Sequence, residues 1–236
     1  MGMKMEELPQ SDKRILALIP AYNEAQRIGD VVTKTRRYLP VLVVDDGSKD
    51  ETAGVARMSG AEVLVQTPNQ GKGAALMNGF RYVLEQGYDA VITLDADGQH
   101  DPEEIPLFVT EYEKGADLVI GQRDFRQMPF PRNFSNAFGT WLFSRALGQY
   151  CPDNQSGYRL HSRRMIEASL TSLETNFEFE VEIIARCVIQ GYTLAWVPIK
   201  TIYAGEHSHI KPLRHIRHFF RIVRHTRKMT RNALQK

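Results

Sequence analysis

Cysteine is scarce in this 236-residue chain. Cys151 and Cys187 stand in unrelated contexts with no Cys-x-x-Cys pair and no Cys/His spacing, so neither a disulfide framework nor a zinc site is expected. A reducing, cytoplasmic setting follows. Long hydrophobic runs are also lacking: no apolar stretch approaches the roughly 20 residues that cross a bilayer. Met1 to Lys13 is polar and acidic rather than signal-like, and an integral membrane protein is not expected. Acid is missing from the end of the chain, where no Asp or Glu follows Glu206 while Lys, Arg and His crowd together. The net charge is only +2, so the asymmetry is local. With 42% hydrophobic and 25% charged residues, the chain suffices for one large core and not comfortably for two.

What is present is a run of β-α units. Ile15-Leu-Ala-Leu-Ile19 reads as a buried strand, and Ile28, Val31, Val32, Thr35 and Leu39 mark one face of a helix. Val41 to Val44 is a second strand, after which Ser48 and Glu51 have capping-box spacing for a helix running toward Met58. Val63 to Val65, Ala90 to Leu94 and Leu118 to Ile120 read as further strands. Helices are expected from Ala74 to Leu84 and from Pro102 to Lys114. The alternation predicts an α/β domain with a mixed, mostly parallel sheet flanked by helices. After residue 121 the pattern becomes irregular, and no linker, repeat or low-complexity tract marks a boundary. The expected organisation is therefore a flexible N-terminus over 1–12, one catalytic domain over 13–209, and a basic C-terminal helix over 210–236.

In open α/β sheets ligands bind beyond the carboxyl ends of the strands, so the segments after strands one, two and four carry the interest. Leu94-Asp95-Ala96-Asp97-Gly98-Gln99-His100 places two carboxylates two apart at a strand end. Side-chain alternation sends both to one side, where they suit a hard cation such as Mg²⁺ or Mn²⁺ against a diphosphate. A lone Asp-x-Asp is most often a solvated turn, and the strand-end position is what lifts this one. Ile19-Pro20-Ala21-Tyr22-Asn23-Glu24 breaks a buried strand into a helix start, and its plain reading is a turn with Asn23 as cap. Val43-Val44-Asp45-Asp46-Gly47-Ser48 puts acids at a second strand end, able to accept from a ribose or base edge or simply to build an Asp-Gly turn. Asn69-Gln70-Gly71-Lys72-Gly73 sets a lysine between glycines before a helix, a nest that suits phosphate. It is not a Walker A loop, which needs a longer spacer and a Ser or Thr after the lysine. Leu76 at the third glycine position argues against a dinucleotide fingerprint.

Taken together and in this order, these four blocks resemble the family 2 glycosyltransferases. Later blocks look like those of dolichyl-phosphate mannose synthases and their bacterial relatives: Gly121-Gln122-Arg123, Arg132 with Ser135 and Asn136, Asp153 to Arg159, Phe177 to Glu182, and Trp196-Val-Pro198. The resemblance implies a single GT-A domain, Rossmann-like, that is an inverting, metal-dependent hexosyltransferase. It implies a GDP- or UDP-hexose donor, Mg²⁺ or Mn²⁺, and a polyprenyl or dolichyl phosphate acceptor. Carried over by residue, Pro20, Ala21, Tyr22, Glu24, Asp46 and Lys72 would meet the nucleotide, and Asp95, Asp97 and Gln99 the metal and diphosphate. Arg123, Arg132 and Ser135 would meet the acceptor phosphate, Asp153 and Ser156 would shape the floor, and Arg123 would join Asp95 and Asp97 as catalytic. The chain departs from the pattern at Gly205 to His209, where His209 stands in place of an expected lysine.

The block of Gln-x-x-Arg-Trp that accompanies a general base in many hydroxyl-glycosylating members is missing, since neither Trp141 nor Trp196 follows an arginine. A phosphate monoester is already largely anionic at pH 7 and attacks without such a base, which favours a phosphate acceptor. Transfer to a soluble or glycan hydroxyl is the other enzyme reading. From Ile210 on, Leu213, Ile216, Phe220 and Val223 recur at helical spacing beside Arg214, Arg217, Arg221, Arg224 and Lys228. Such a helix either lies on an anionic membrane surface, making the protein peripheral at the cytoplasmic face, or packs on the domain. Nucleic-acid binding through this tail is disfavoured because no recognition motif accompanies it. A nucleotidyltransferase would carry a glycine-rich loop where Pro20 to Glu24 stands.

Overall fold

Alternation along the first apolar run builds two cores from one strand. The computed structural model describes residues 12–124, 132–172 and 177–200 with 224, 226 and 227, and side chains within the fifth and seventh helices from 139 and 179 onward. In β1 (Ile15–Ala21), Ile15, Ala17 and Ile19 enter one core and Leu16 and Leu18 the other. β2 (Val41–Asp45) repeats the pattern, with Val41 and Val43 on the first side and Leu42 and Val44 on the second. A strand buried on both faces reads as a continuous apolar run, as these do.

The chain continues through α1 (Ile28–Thr35), α2 (Thr52–Met58), β3 (Glu62–Val65), α3 (Lys72–Glu85) and β4 (Ala90–Thr93). A 3-10 turn at Pro102–Glu104 leads into α4 (Ile105–Glu113), followed by β5 (Leu118–Arg123) and α5 (Arg132–Leu147). β6 (Arg159–Ser162), α6 (Arg163–Ser169), α7 (Phe177–Ile189) and β7 (Leu194–Ile199) complete the described chain. The seven strands form one sheet in the order β3-β2-β1-β4-β6-β5-β7. All neighbours run parallel except β6, which is antiparallel to both β4 and β5. The expected mixed, mostly parallel sheet is therefore what the chain forms, and its irregular second half completes that sheet.

Strand order reverses at β1: the chain first steps outward through β2 and β3, then returns to place β4 on β1's other edge. Such a reversal leaves a crevice at the carboxyl ends of β1 and β4. α3 seals the sheet behind it through a close approach at Gly79, where a Cβ would lie 2.4 Å from a Leu18 methyl. The Ser48–Glu51 capping box does not form. Ser48 instead hydrogen-bonds Asp45, and Glu51 is itself the N-cap residue of α2 without a side-chain cap bond. Of the basic segment 210–236, only residues 224, 226 and 227 lie within the described chain.

β7 is tied to the 3-10 turn through a buried carboxylate, since the Lys200 N–H donates to Glu104 Oε1 at 2.8 Å. The other oxygen, Oε2, is buried with no hydrogen-bond partner among the described residues. Burial pushes the Glu104 carboxyl up to about 7. An unfolded glutamate titrates near roughly 4.3, so between these values the folded chain holds a proton that the unfolded chain has lost. Stability therefore falls as pH rises through that window, and the loss is complete above the folded value. Glu104→Gln should be more stable than the parent at pH 8 by about 2–3 kcal/mol, with the advantage gone below roughly pH 4. Urea midpoints measured across this range check it; parallel pH profiles for the two proteins would refute it.

Candidate active site

The crevice at the strand ends is an open cleft of about 280 Å³ lined by Pro20, Ala21, Tyr22, Glu24, Asp46, Lys72, Ala75, Asp95, Ala96 and Asp97. Four segments supply it: the end of β1, the end of β2, the first turn of α3 and the loop after β4. The first two are stitched together. Asn23 adopts a left-handed backbone (φ 55°), its N–H donates to Ser48 Oγ at 2.9 Å, and its side-chain oxygen accepts from the Lys49 N–H at 2.8 Å. The Glu24 N–H donates to Thr52 Oγ1 at 2.8 Å and the Ala25 N–H to Asp50 at 3.2 Å. Asn23 thus cross-links two loops rather than capping α1, whose N-cap residue is Arg27. Tyr22, 42% exposed, stands at the rim.

Asp46 anchors the third segment. Its carboxylate accepts from the Gln70 N–H at 2.7 Å, the Gly71 N–H at 2.8 Å and Gln66 Nε2 at 2.5 Å. The Gln66 oxygen accepts in turn from Asn78 on α3. The sequence marks Asp46 as a ligand acceptor; the structure shows it already engaged by three donors that shape the approach to Lys72.

Lys72 lies between two carboxylates, 2.6 Å from Asp95 Oδ1 and 3.3 Å from Glu180 Oε2. Burial disfavours the ammonium, but Asp95 and Glu180 reverse the effect and hold Lys72 protonated beyond its ordinary range. Burial likewise raises Asp95, and Lys72, His100 and Arg123 together outweigh it, so that this carboxyl lies below the usual range. His100 is buried and packs its ring on Tyr158 at 5.0 Å, and Tyr158 stacks on Phe108 at 4.2 Å. Burial lowers His100 to about 4, so it is neutral at pH 7. Its Nδ1 accepts the Asp95 N–H at 3.1 Å, which places the ring proton on Nε2. Asp97 Oδ1 accepts the Gln99 N–H at 2.9 Å, and the Gln99 side chain is not among those lining the cleft.

Arg123 meets Asp153 through a two-pronged pair, Nε to Oδ2 at 2.7 Å and Nη2 to Oδ1 at 2.9 Å. Asp153 is fully buried and also accepts the N–H groups of Gln155 and Ser156. The Ser156 hydroxyl is buried with no hydrogen-bond partner among the described residues. Behind this loop the buried Arg159 guanidinium donates to the carbonyls of Ser156 at 2.7 Å, Asn154 at 3.4 Å and Glu180. Arg132 and Ser135 fall on α5, where only their backbone is described, and His209 lies outside the described residues. The sequence points to no role for Glu180, Gly157, Arg159, His100 or Gln66. All but Gln66 sit inside blocks that carry the family resemblance, the only signal the sequence offers for them.

The sequence matches the family model described as "Glycosyl transferase family 2" over residues 17–172. It is 32% identical over 207 residues to a polyprenol monophosphomannose synthase of Mycolicibacterium smegmatis, covering 79% of this chain and 77% of that protein. It is 35% identical over 201 residues to an undecaprenyl-phosphate mannosyltransferase of Micrococcus luteus, covering 79% and 82%. Among solved structures, it is similar to glucosyl-3-phosphoglycerate synthase of Mycobacterium tuberculosis, a complex with Mn²⁺, uridine diphosphate and glucosyl-3-phosphoglycerate. The TM-score there is 0.68 at 21% identity, covering 91% of this chain and 78% of that one. This last likeness bears on the fold.

The Asp46 arrangement makes its own demand. Asp46→Asn sets an amide N–H₂ against at least one existing donor, leaving a polar group unpaired at a cost of about 1–3 kcal/mol. Hydrogen exchange followed by mass spectrometry should show faster exchange at Gln70 and Gly71 with β5 unchanged. Unaltered exchange over 66–71 would remove Asp46 as the anchor.

Proposed function

Because the chain belongs to glycosyltransferase family 2, we propose that it moves one hexose, mannose or glucose, from a GDP- or UDP-sugar to a polyprenyl or dolichyl phosphate, inverting the anomeric carbon. The observation that carries this reading is the convergence of Pro20–Glu24, Asp46, Lys72, Asp95 and Asp97, from four separate segments, on one cleft. The names of the two bacterial relatives, a polyprenol monophosphomannose synthase and an undecaprenyl-phosphate mannosyltransferase, support the acceptor class.

Each part has a task. Tyr22 at the rim offers a ring face to the base, and Pro20, Ala21 and Glu24 enclose the nucleoside. Lys72, at the first turn of α3, meets the diphosphate with its ammonium and the helix N-terminus. For the metal, Asp95 and Asp97 line the same cleft, and the described residues contain no cluster of three or more His, Cys, Asp or Glu. Mg²⁺ is typically held by one or two carboxylates plus substrate phosphates, so this pair fits a cation bound jointly with a diphosphate. The Lys72 ammonium at Asp95 already shows a positive charge accepted at that place. When bound, Mg²⁺ or Mn²⁺ supplies charge neutralisation for the departing nucleoside diphosphate. The Gln99 N–H orients Asp97 for that task.

On the acceptor side, Asp153 fixes the plane of the Arg123 guanidinium, so the arginine meets an incoming phosphate without first being ordered. Ser156, on the loop that Asp153 holds, is proposed to shape the floor of this region, and Arg132, Ser135 and His209 are proposed to add contacts. The acceptor phosphate is already anionic and serves as nucleophile without a dedicated base. Among the described residues no helix is long and apolar enough to cross a membrane. We assign contact with the lipid surface to the basic 210–236 segment, making the enzyme peripheral at the cytoplasmic face.

Purified protein should consume a GDP- or UDP-hexose only when Mg²⁺ or Mn²⁺ and a polyprenyl phosphate are both supplied. Asp97→Ala should lose at least about 100-fold in kcat, in line with removal of a charge-stabilising group. Radiolabelled sugar transfer into the organic phase measures both. Turnover with water-soluble acceptors alone would replace the lipid by a hydroxyl acceptor, and an Asp97→Ala variant of undiminished rate would end the metal role.

A further inference from the structure

Glu180 has no part in the chemistry above, yet it is 5% exposed and points its carboxylate at the Lys72 ammonium. We propose that Glu180 is a positioning residue that retains Lys72 over the cleft while the donor's diphosphate and metal take over Asp95. Lys72 then changes partner from Asp95 to phosphate without leaving the site. The inference rests on the donor reading given above.

Three features of the geometry support it. The ammonium is closer to Asp95 (2.6 Å) than to Glu180 (3.3 Å), so in this state it acts as the cation of the very carboxylate assigned to the metal. A divalent ion arriving at Asp95 repels that ammonium, which then needs another anion nearby, because a buried charge left unpaired is costly. Glu180 meets this need from a fixed position: the buried Arg159 guanidinium holds the Glu180 carbonyl together with those of Ser156 and Asn154. Gly157 also confines the ammonium. A Cβ there would lie 2.9 Å from Lys72 Nζ and 3.0 Å from Asp95 Oδ2, so backbone packs directly against the pair and leaves the ammonium little room on that side. The lysine side chain is the mobile member, and its two carboxylates are its stations.

Calorimetric titration of the full chain with Mn²⁺ plus GDP or UDP, alongside titration with the matching nucleoside without metal, tests the idea. Glu180→Gln keeps the shape and removes the charge. It should weaken Mn²⁺–diphosphate binding by about 10- to 30-fold while leaving nucleoside binding and the melting temperature close to those of the parent. Glu180→Asp should recover most of the loss, and it carries the test alone if the glutamine variant does not fold, with a several-fold deficit expected. Unchanged diphosphate affinity in the variants, or equal losses for diphosphate and nucleoside, would overturn the role of Glu180 and leave the donor reading standing. Failure of the parent protein to bind either diphosphate with Mn²⁺ would overturn the donor reading and this inference with it.

Discussion

Three segments far apart in the chain meet at the Lys72 ammonium: the start of α3, the Asp95 loop beyond β4, and α7 through Glu180. A cation that shares their field stabilises carboxylates drawn in at the edge of a sheet. Gly71, at φ 93°, takes the left-handed backbone that leads into Lys72, and Gly157 lets the neighbouring loop lie close against the pair. Arg159 repeats the device one layer deeper, with carbonyl oxygens in place of carboxylates. Lys72 thus ties the start of α3 and the loop after β4 to α7, and Arg159 ties the 154–156 loop to the same helix.

The first half of this arrangement was legible because its strands are apolar on both faces and its loops are polar at regular intervals. Leu42 and Val43 read as strand whichever core each enters. β6 was not legible. Its residues, Arg159, Leu160, His161 and Ser162, show the composition of an exposed turn, yet all four are buried. Arg159 is satisfied by three carbonyls, His161 packs its ring 5.1 Å from Phe80, and Ser162 donates to Asp117 at 3.0 Å while accepting from the first turn of α6. Partners supplied by distant elements made these polar residues compatible with burial, and no local pattern carries that information. The start of α2 failed for a related reason. Ser48 has the spacing of a cap, but the Asp45 carboxylate three residues earlier competes for its hydroxyl and N–H.

At the site, residue types were easier to read than pairings. Strand-end acids and a glycine-flanked lysine announce a polar cleft, and Pro20, Ala21, Tyr22, Glu24, Asp46, Lys72, Asp95 and Asp97 do line one. Which acid meets which base is decided by topology. Arg123 and Asp153 are brought together because β5 and β6 are neighbours in the sheet, and Asp46 reaches the 66–71 loop because β2 lies beside β3. Roles assigned to single residues therefore shift once partners are known: Asp46 becomes a loop anchor as well as a lining residue, and Asp153 an orienting group for Arg123.

The electrostatics of the lining bear on why a cation belongs in this reading at all. Glu24, Asp46, Asp95 and Asp97 face the cleft, and among the described residues its lining contains one ammonium, Lys72. Arg27 offsets Glu24 at 3.1 Å, and N–H donors stabilise Asp46 without cancelling its charge. A nucleoside diphosphate arriving alone would enter a field of its own sign. On the proposed reading, a divalent ion would bring the same diphosphate to Asp95 and Asp97 and free Lys72 toward the phosphates. Carboxylates that would expel the bare nucleotide would then hold its metal complex, and Arg123 would serve the proposed acceptor's phosphate, which needs a cation of its own.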